Sequence, residues 1–127
     1  MERKTVLVVE DNRDELMIYT TLLSHRGYAI LTAGDYHTAL DIAREHHPDL
    51  AVVDVNLGSP THDGTDLVRA LRATESTRAM PVIAHTAFGD VYRDSLDSVG
   101  CDRILHKPTN PSVLLETIEE LIGPPGS

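Results

Sequence analysis

Two adjacent carboxylates, Glu10 and Asp11, a third at Asp54, a hydroxyl at Thr86 and an amine at Lys107 are the groups whose types and spacing could do chemistry together. Each follows closely on a run of aliphatic and β-branched residues: TVLVV at 5–9, LAVV at 50–53, PVIAH at 81–85 and RIL at 103–105. Carboxylates gathered in one place repel, by about 4 kcal/mol for two unit charges ~4 Å apart at an effective dielectric of ~20. A cation is therefore expected among them. Oxygen ligands without a thiolate or neighbouring imidazole suit a hard ion that keeps several waters, which describes magnesium better than zinc. Such a site takes an anion that brings its own oxygens, and a phosphoryl group does this well. Asp54 ends the central apolar run and is the best placed nucleophile, forming an aspartyl phosphate. The metal and Lys107 would offset charge on the transferring oxygens.

Those residues need strand ends to hold them. Thr5 to Val9, Asp49 to Val55 and Pro81 to Thr86 read as buried strands, with Tyr28 to Ala33 and Arg103 to Leu105 as weaker ones. Helical spacing lies between them. Leu16, Tyr19, Leu22 and Leu23 mark the first helix before Gly27. Tyr36 to His46, with Ala39, Leu40, Ile42 and Ala43 inward, is the second, and Gly64 to Ala73, with Leu67, Val68 and Leu71, the third. A fourth, Asp90 to Val99, is anchored by Val91, Leu96 and Val99. The fifth opens with Asn110 as cap and Pro111 in its first turn, and ends at Gly123. Strict alternation predicts a doubly wound α/β domain, (βα)5, with a five-stranded parallel sheet and helices on both faces. Its reactive crevice lies beyond the carboxyl ends of the strands. With strand order 2-1-3-4-5, the five polar groups meet over that crevice.

The bulk properties narrow the field. A chain of 127 residues fits one hydrophobic core. We read residues 1–123 as the domain and 124–127 as a short tail. A formal net charge of −9 opposes attraction to nucleic acid or an anionic membrane. One cysteine, Cys101, excludes an internal disulfide, and no long apolar run or leader is present, so a cytoplasmic location is expected.

The segments VVEDN at 8–12, VVDVN at 52–56, HTA at 85–87 and KP at 107–108 together resemble the response-regulator receiver family of two-component signalling. The resemblance spans nearly the whole chain and rests on order and spacing, since each motif alone is common. It implies that Asp11 and Asp54 ligate magnesium through side chains, Glu10 mainly through water, and Asn56 through its backbone carbonyl. Asp54 would receive the phosphoryl group, with Thr86 and Lys107 each meeting a phosphoryl oxygen and the peptide before Pro108 cis. The donor implied is a histidine kinase or a histidine phosphotransfer protein. The output implied is a homodimer or effector bound through the face of the fourth helix, fifth strand and fifth helix. Such a domain catalyses only its own phosphorylation and dephosphorylation.

Two features depart from that pattern. Ile104 stands where the family carries Tyr or Phe, so the output must travel by backbone movement or another surface. The loop from Val55 to His62 is two residues longer than usual, which displaces Pro60, and Phe88 is placed to screen attacking water. Blander readings compete. Glu10 and Asp11 could cap the first helix, Thr86 could be an ordinary strand residue, and Cys101 a small buried apolar group. The seven histidines lack metal-ligand spacing and are expected at the surface, while Tyr92 belongs either to a partner surface or simply to solvent. An aspartyl-nucleophile phosphatase is disfavoured because Asn56 replaces its second aspartate. A docking module without phosphorylation is disfavoured by the intact acidic set, and a flavin site by the lack of a phosphate loop after the first strand.

Overall fold

The computed structural model describes residues 3–59, 61–87 and 89–126. Five strands, β1 (Thr5–Val9), β2 (Ala29–Ala33), β3 (Leu50–Val53), β4 (Val82–Thr86) and β5 (Arg103–His106), alternate with five helices. These are α1 (Arg13–Arg26), α2 (Tyr36–His46), α3 (Gly64–Ala73), α4 (Gly89–Ser98) and α5 (Pro111–Ile122). All four strand pairings are parallel and the order is β2-β1-β3-β4-β5. This is the doubly wound sheet the alternation predicts.

Period-two alternation along the strands feeds two cores. Val6, Val8, Leu50, Val52 and Ile83 pack with Leu23, Leu114 and Ile118 of α1 and α5. Leu7, Val9, Ala51 and Val53 pack with Leu40, Ala43, Leu67 and Leu71 of α2 and α3. Fully burying one such aliphatic side chain is worth about 1.5–3 kcal/mol, so both sheet faces contribute. A smaller cluster of Val55, Ala84 and Leu96 lies under α4, with Tyr92, Cys101 and Ile104 packed on it.

Several boundaries and faces differ from expectation for definable reasons. Tyr28 is not in β2, because its amide donates to Leu23 O at 3.1 Å and so closes α1. Asp49 lies outside β3, its carboxylate accepting from Thr5 N at 2.7 Å. β5 runs on to His106. The cap of α1 is Asn12, whose side chain accepts from Glu15 N at 3.0 Å, so Glu10 and Asp11 are not its cap. Val91 is 75% exposed rather than an anchor of α4. It lies five residues from Leu96, a spacing that puts the two on different faces, whereas Tyr92, Leu96 and Val99 share one. Tyr92 is accordingly half-buried.

His85 is 2% exposed and corrects the expectation that every histidine is superficial. The long loop after Asp54 is pinned to α2, since His62 stacks on Tyr36 with ring centroids 4.3 Å apart. Pro60 and Phe88, to which displacement and a screening role were assigned, lie outside the described residues. The carboxyl-terminal residues join the body through Pro125, which is buried and accepts from Lys4 N at 2.8 Å.

Candidate functional site

Parallel pairing brings the strand ends to one edge. β1 and β3 are in register through Val9 and Val53, so Glu10 and Asp54 emerge side by side, and Asp54 N donates to Val9 O at 3.0 Å. One oxygen from each of Glu10, Asp11 and Asp54 can be chosen so that all lie within 4.8 Å of one another. Glu10 is 3% exposed and Asp54 8%, while Asp11 faces solvent. On the far side β4 delivers Thr86, fully buried, whose carbonyl accepts from Lys107 N at 2.9 Å. The Lys107–Pro108 peptide is cis.

Lys107 reaches back across the edge. Its Nζ lies 2.9 Å from Glu10 Oε2, 2.9 Å from Glu15 Oε1 and 3.3 Å from Asp54 Oδ2. Asn56 N donates to Asp54 Oδ1 at 3.2 Å and its side-chain oxygen accepts from Gly58 N, which keeps this exposed residue in the loop beside Asp54. Glu10, Asp11, Asp54, Asn56, Thr86 and Lys107 all line one open cleft of about 600 Å³. The structure therefore brings together the five residues that the spacing singled out, with Asn56, which the resemblance added, beside them.

The charges are unbalanced. Burial pushes the Glu10 carboxyl up to about 7; the hydrogen bond from Lys107 opposes this and Asp54 reinforces it. Burial alone would depress the Lys107 ammonium, yet its bonds to Glu15 and Glu10 and the charge of Asp54 outweigh that and raise its pKa. Three carboxyl groups thus share one ammonium, and Asp11 adds a fourth beside them. The set fits magnesium: octahedral ligand oxygens ~2.1 Å from an ion lie roughly 3–4 Å apart, close to the spread seen here, and all donors are hard oxygens.

Residues 6–119 match the response regulator receiver domain family. The chain belongs to that family. Relatives of this receiver include the polar-differentiation response regulators DivK of Brucella ovis and Brucella suis, each 37% identical over 123 residues and covering 94% of this chain and 97% of the relative. Among solved structures, the receiver domain of the Pseudomonas aeruginosa sensor histidine kinase PA1611, which has a magnesium ion coordinated in its active site cleft, superposes with TM-score 0.87 at 29% identity. It covers 94% of this chain and 98% of that one. The Vibrio cholerae chemotaxis protein CheY4 gives 0.85 at 28% identity over 93% and 98%.

The receiver site also holds residues that the sequence did not single out. Glu15 joins through its bond to Lys107. Its only sequence signal is the Asn12–Glu15 spacing of a capped helix start. Tyr19 and Ile18 line the cleft from the same helix, and the Lys107 ammonium lies 5.9 Å from the Tyr19 ring centroid. Ile18 and Met17 are 62% and 67% exposed beside it.

Proposed function

We propose that this receiver accepts a phosphoryl group on Asp54 from the phosphohistidine of a histidine kinase or histidine phosphotransfer protein, in a cytoplasmic two-component pathway. An Asp54 carboxylate oxygen forms the new bond to phosphorus as the bond from phosphorus to the donor imidazole breaks, and the electron pair leaves with the imidazole. Supporting this is one observation above the others: Lys107 Nζ is within bonding distance of both Glu10 and Asp54, at the mouth of a cleft where three carboxylates converge.

Glu10, Asp11 and Asp54, with the backbone carbonyl of Asn56, would hold magnesium, which supplies positive charge to the phosphoryl oxygens when bound. The related Pseudomonas receiver and its coordinated magnesium support that assignment. Lys107 carries the second positive charge, and Thr86 lends its hydroxyl to a phosphoryl oxygen. The domain does no chemistry beyond gaining and losing this group. Its output runs to a second copy or an effector through α4, β5 and α5, where Val91 and Val113 are exposed. No described helix is long and apolar enough to cross a membrane.

Intact mass after incubation with acetyl phosphate and magnesium tests the acceptor. Wild type gains one phosphoryl group, chelation prevents it, and Asp54→Asn gains none. Persistent labelling of Asp54→Asn would refute the assignment.

A further inference from the structure

We infer that the buried His85 and the half-buried Thr109 form a tether that positions Lys107, an inference that rests on the phosphoacceptor reading of the site. His85 is a polar residue in an inner strand, on the sheet face where Ile83 packs with α1 and α5. Its Nε2 lies 2.8 Å from Thr109 Oγ1, and that hydroxyl lies 2.6 Å from His106 O. A hydroxyl has one hydrogen, and a carbonyl can only accept. The Thr109 hydrogen therefore goes to His106, and Thr109 Oγ1 receives the hydrogen of His85 Nε2. This fixes the imidazole as the Nε2–H tautomer.

The two ends of the lysine turn are consequently tied to adjacent residues of one strand. Lys107 N bonds to Thr86 O at 2.9 Å before the turn, and Thr109 bonds to His85 after it. The His85 ring meets Tyr19 edge to face with centroids 4.9 Å apart, and Tyr19 in turn lies beneath the Lys107 ammonium. An aliphatic residue at position 85 would fill the same core but could not hold Thr109. Burial and the nearby Lys107 charge keep His85 neutral, so it adds no positive charge behind the lysine. His85 and Thr109 act through Lys107 and are positioning residues.

Lysine is rare here, with only Lys4 and Lys107, so protein carrying ¹³C at lysine Cε gives two resonances. Thr109→Val, which keeps shape and removes both bonds, should move the Lys107 resonance toward that of an unpaired lysine, and Thr109→Ser should restore it. His85→Leu, which removes the donor from the other side, should reproduce the Thr109→Val shift. With acetyl phosphate and magnesium, Thr109→Val should label about five- to tenfold more slowly, the scale of one hydrogen bond carried into the barrier. In a Lys107→Ala background the same change should cost nothing further. An unmoved Lys107 resonance in either variant, or an equal loss of rate in the Lys107→Ala background, overturns the tether. Failure of wild type to label would instead remove the phosphoacceptor reading, and the resonance would still decide the tether.

Discussion

Replacing Lys107 by alanine tests the electrostatics of the site without any phosphoryl donor. The ammonium faces Glu10 and Glu15 at 2.9 Å and Asp54 at 3.3 Å. A pair at such distances attracts by roughly 5 kcal/mol at an effective dielectric of ~20, before the cost of burying the charges. Glu15 has a side chain 36% exposed, and water screens its share to about 1 kcal/mol or less. Glu10 and Asp54 are buried, and stranding buried partners typically costs about 3–5 kcal/mol. That is the loss expected near pH 8. Glu10 sets the pH dependence. Its folded value of about 7 lies above its ordinary 4.5, so its carboxylate penalises the fold above that range and ceases to do so once protonated. Without Lys107 this carboxyl titrates higher still. On acidification to about pH 5.5 Glu10 is protonated in the folded state of both proteins, and the gap between them should shrink to roughly half. Millimolar magnesium at pH 8 should stabilise the variant more than wild type, because the cation replaces a missing charge. Urea titrations followed by far-ultraviolet circular dichroism suit a chain without tryptophan. A loss below about 1 kcal/mol at pH 8, or one unchanged by acid, would refute the reasoning.

Two further outcomes follow from single contacts. His85 has its pKa lowered to about 4 by burial and by Lys107, with Glu15 opposing, and Tyr19 packs against it. The unfolded chain therefore takes the proton first, and stability is complete above about pH 6.5 and falls toward pH 4. By about pH 5 wild type should lose ~2 kcal/mol more than His85→Gln, and parallel stability profiles would reject a neutral buried imidazole. A Cβ at Gly64 would sit 2.4 Å from Asp54 O and 2.7 Å from Val55 Cα. Both are backbone atoms, so Gly64→Ala should cost about 3 kcal/mol and slow labelling of Asp54. A normal melting temperature with a normal labelling rate would show that the loop yields freely.

The sheet and the acidic set were legible in the sequence for one reason. Parallel strands all finish at the same edge, so residues that follow Val9, Val53 and His85 converge whatever the helices do. Helix phase was legible only where apolar residues are plentiful. α3 was read to the residue, whereas α4, with Leu96 as its one fully buried aliphatic side chain, was assigned a stripe through Val91 that its spacing does not support. His85 looked superficial because polarity was read without position, yet an inner parallel strand is covered on both faces. Glu15 and the His85–Thr109 pair were illegible in principle. Each depends on how a side chain crosses to another element, which local periodicity does not encode.

The ammonium of Lys107 has three hydrogens, and three carboxylates already receive it. Nothing is left over for a newcomer. An anion that settles beside Asp54 gains a bond from this lysine only by taking one from a carboxylate that held it. Glu15 is the least costly to release, because its side chain is 36% exposed against 3% for that of Glu10. Filling the cleft is thus an exchange made with the first turn of α1, one turn before the exposed Met17 and Ile18.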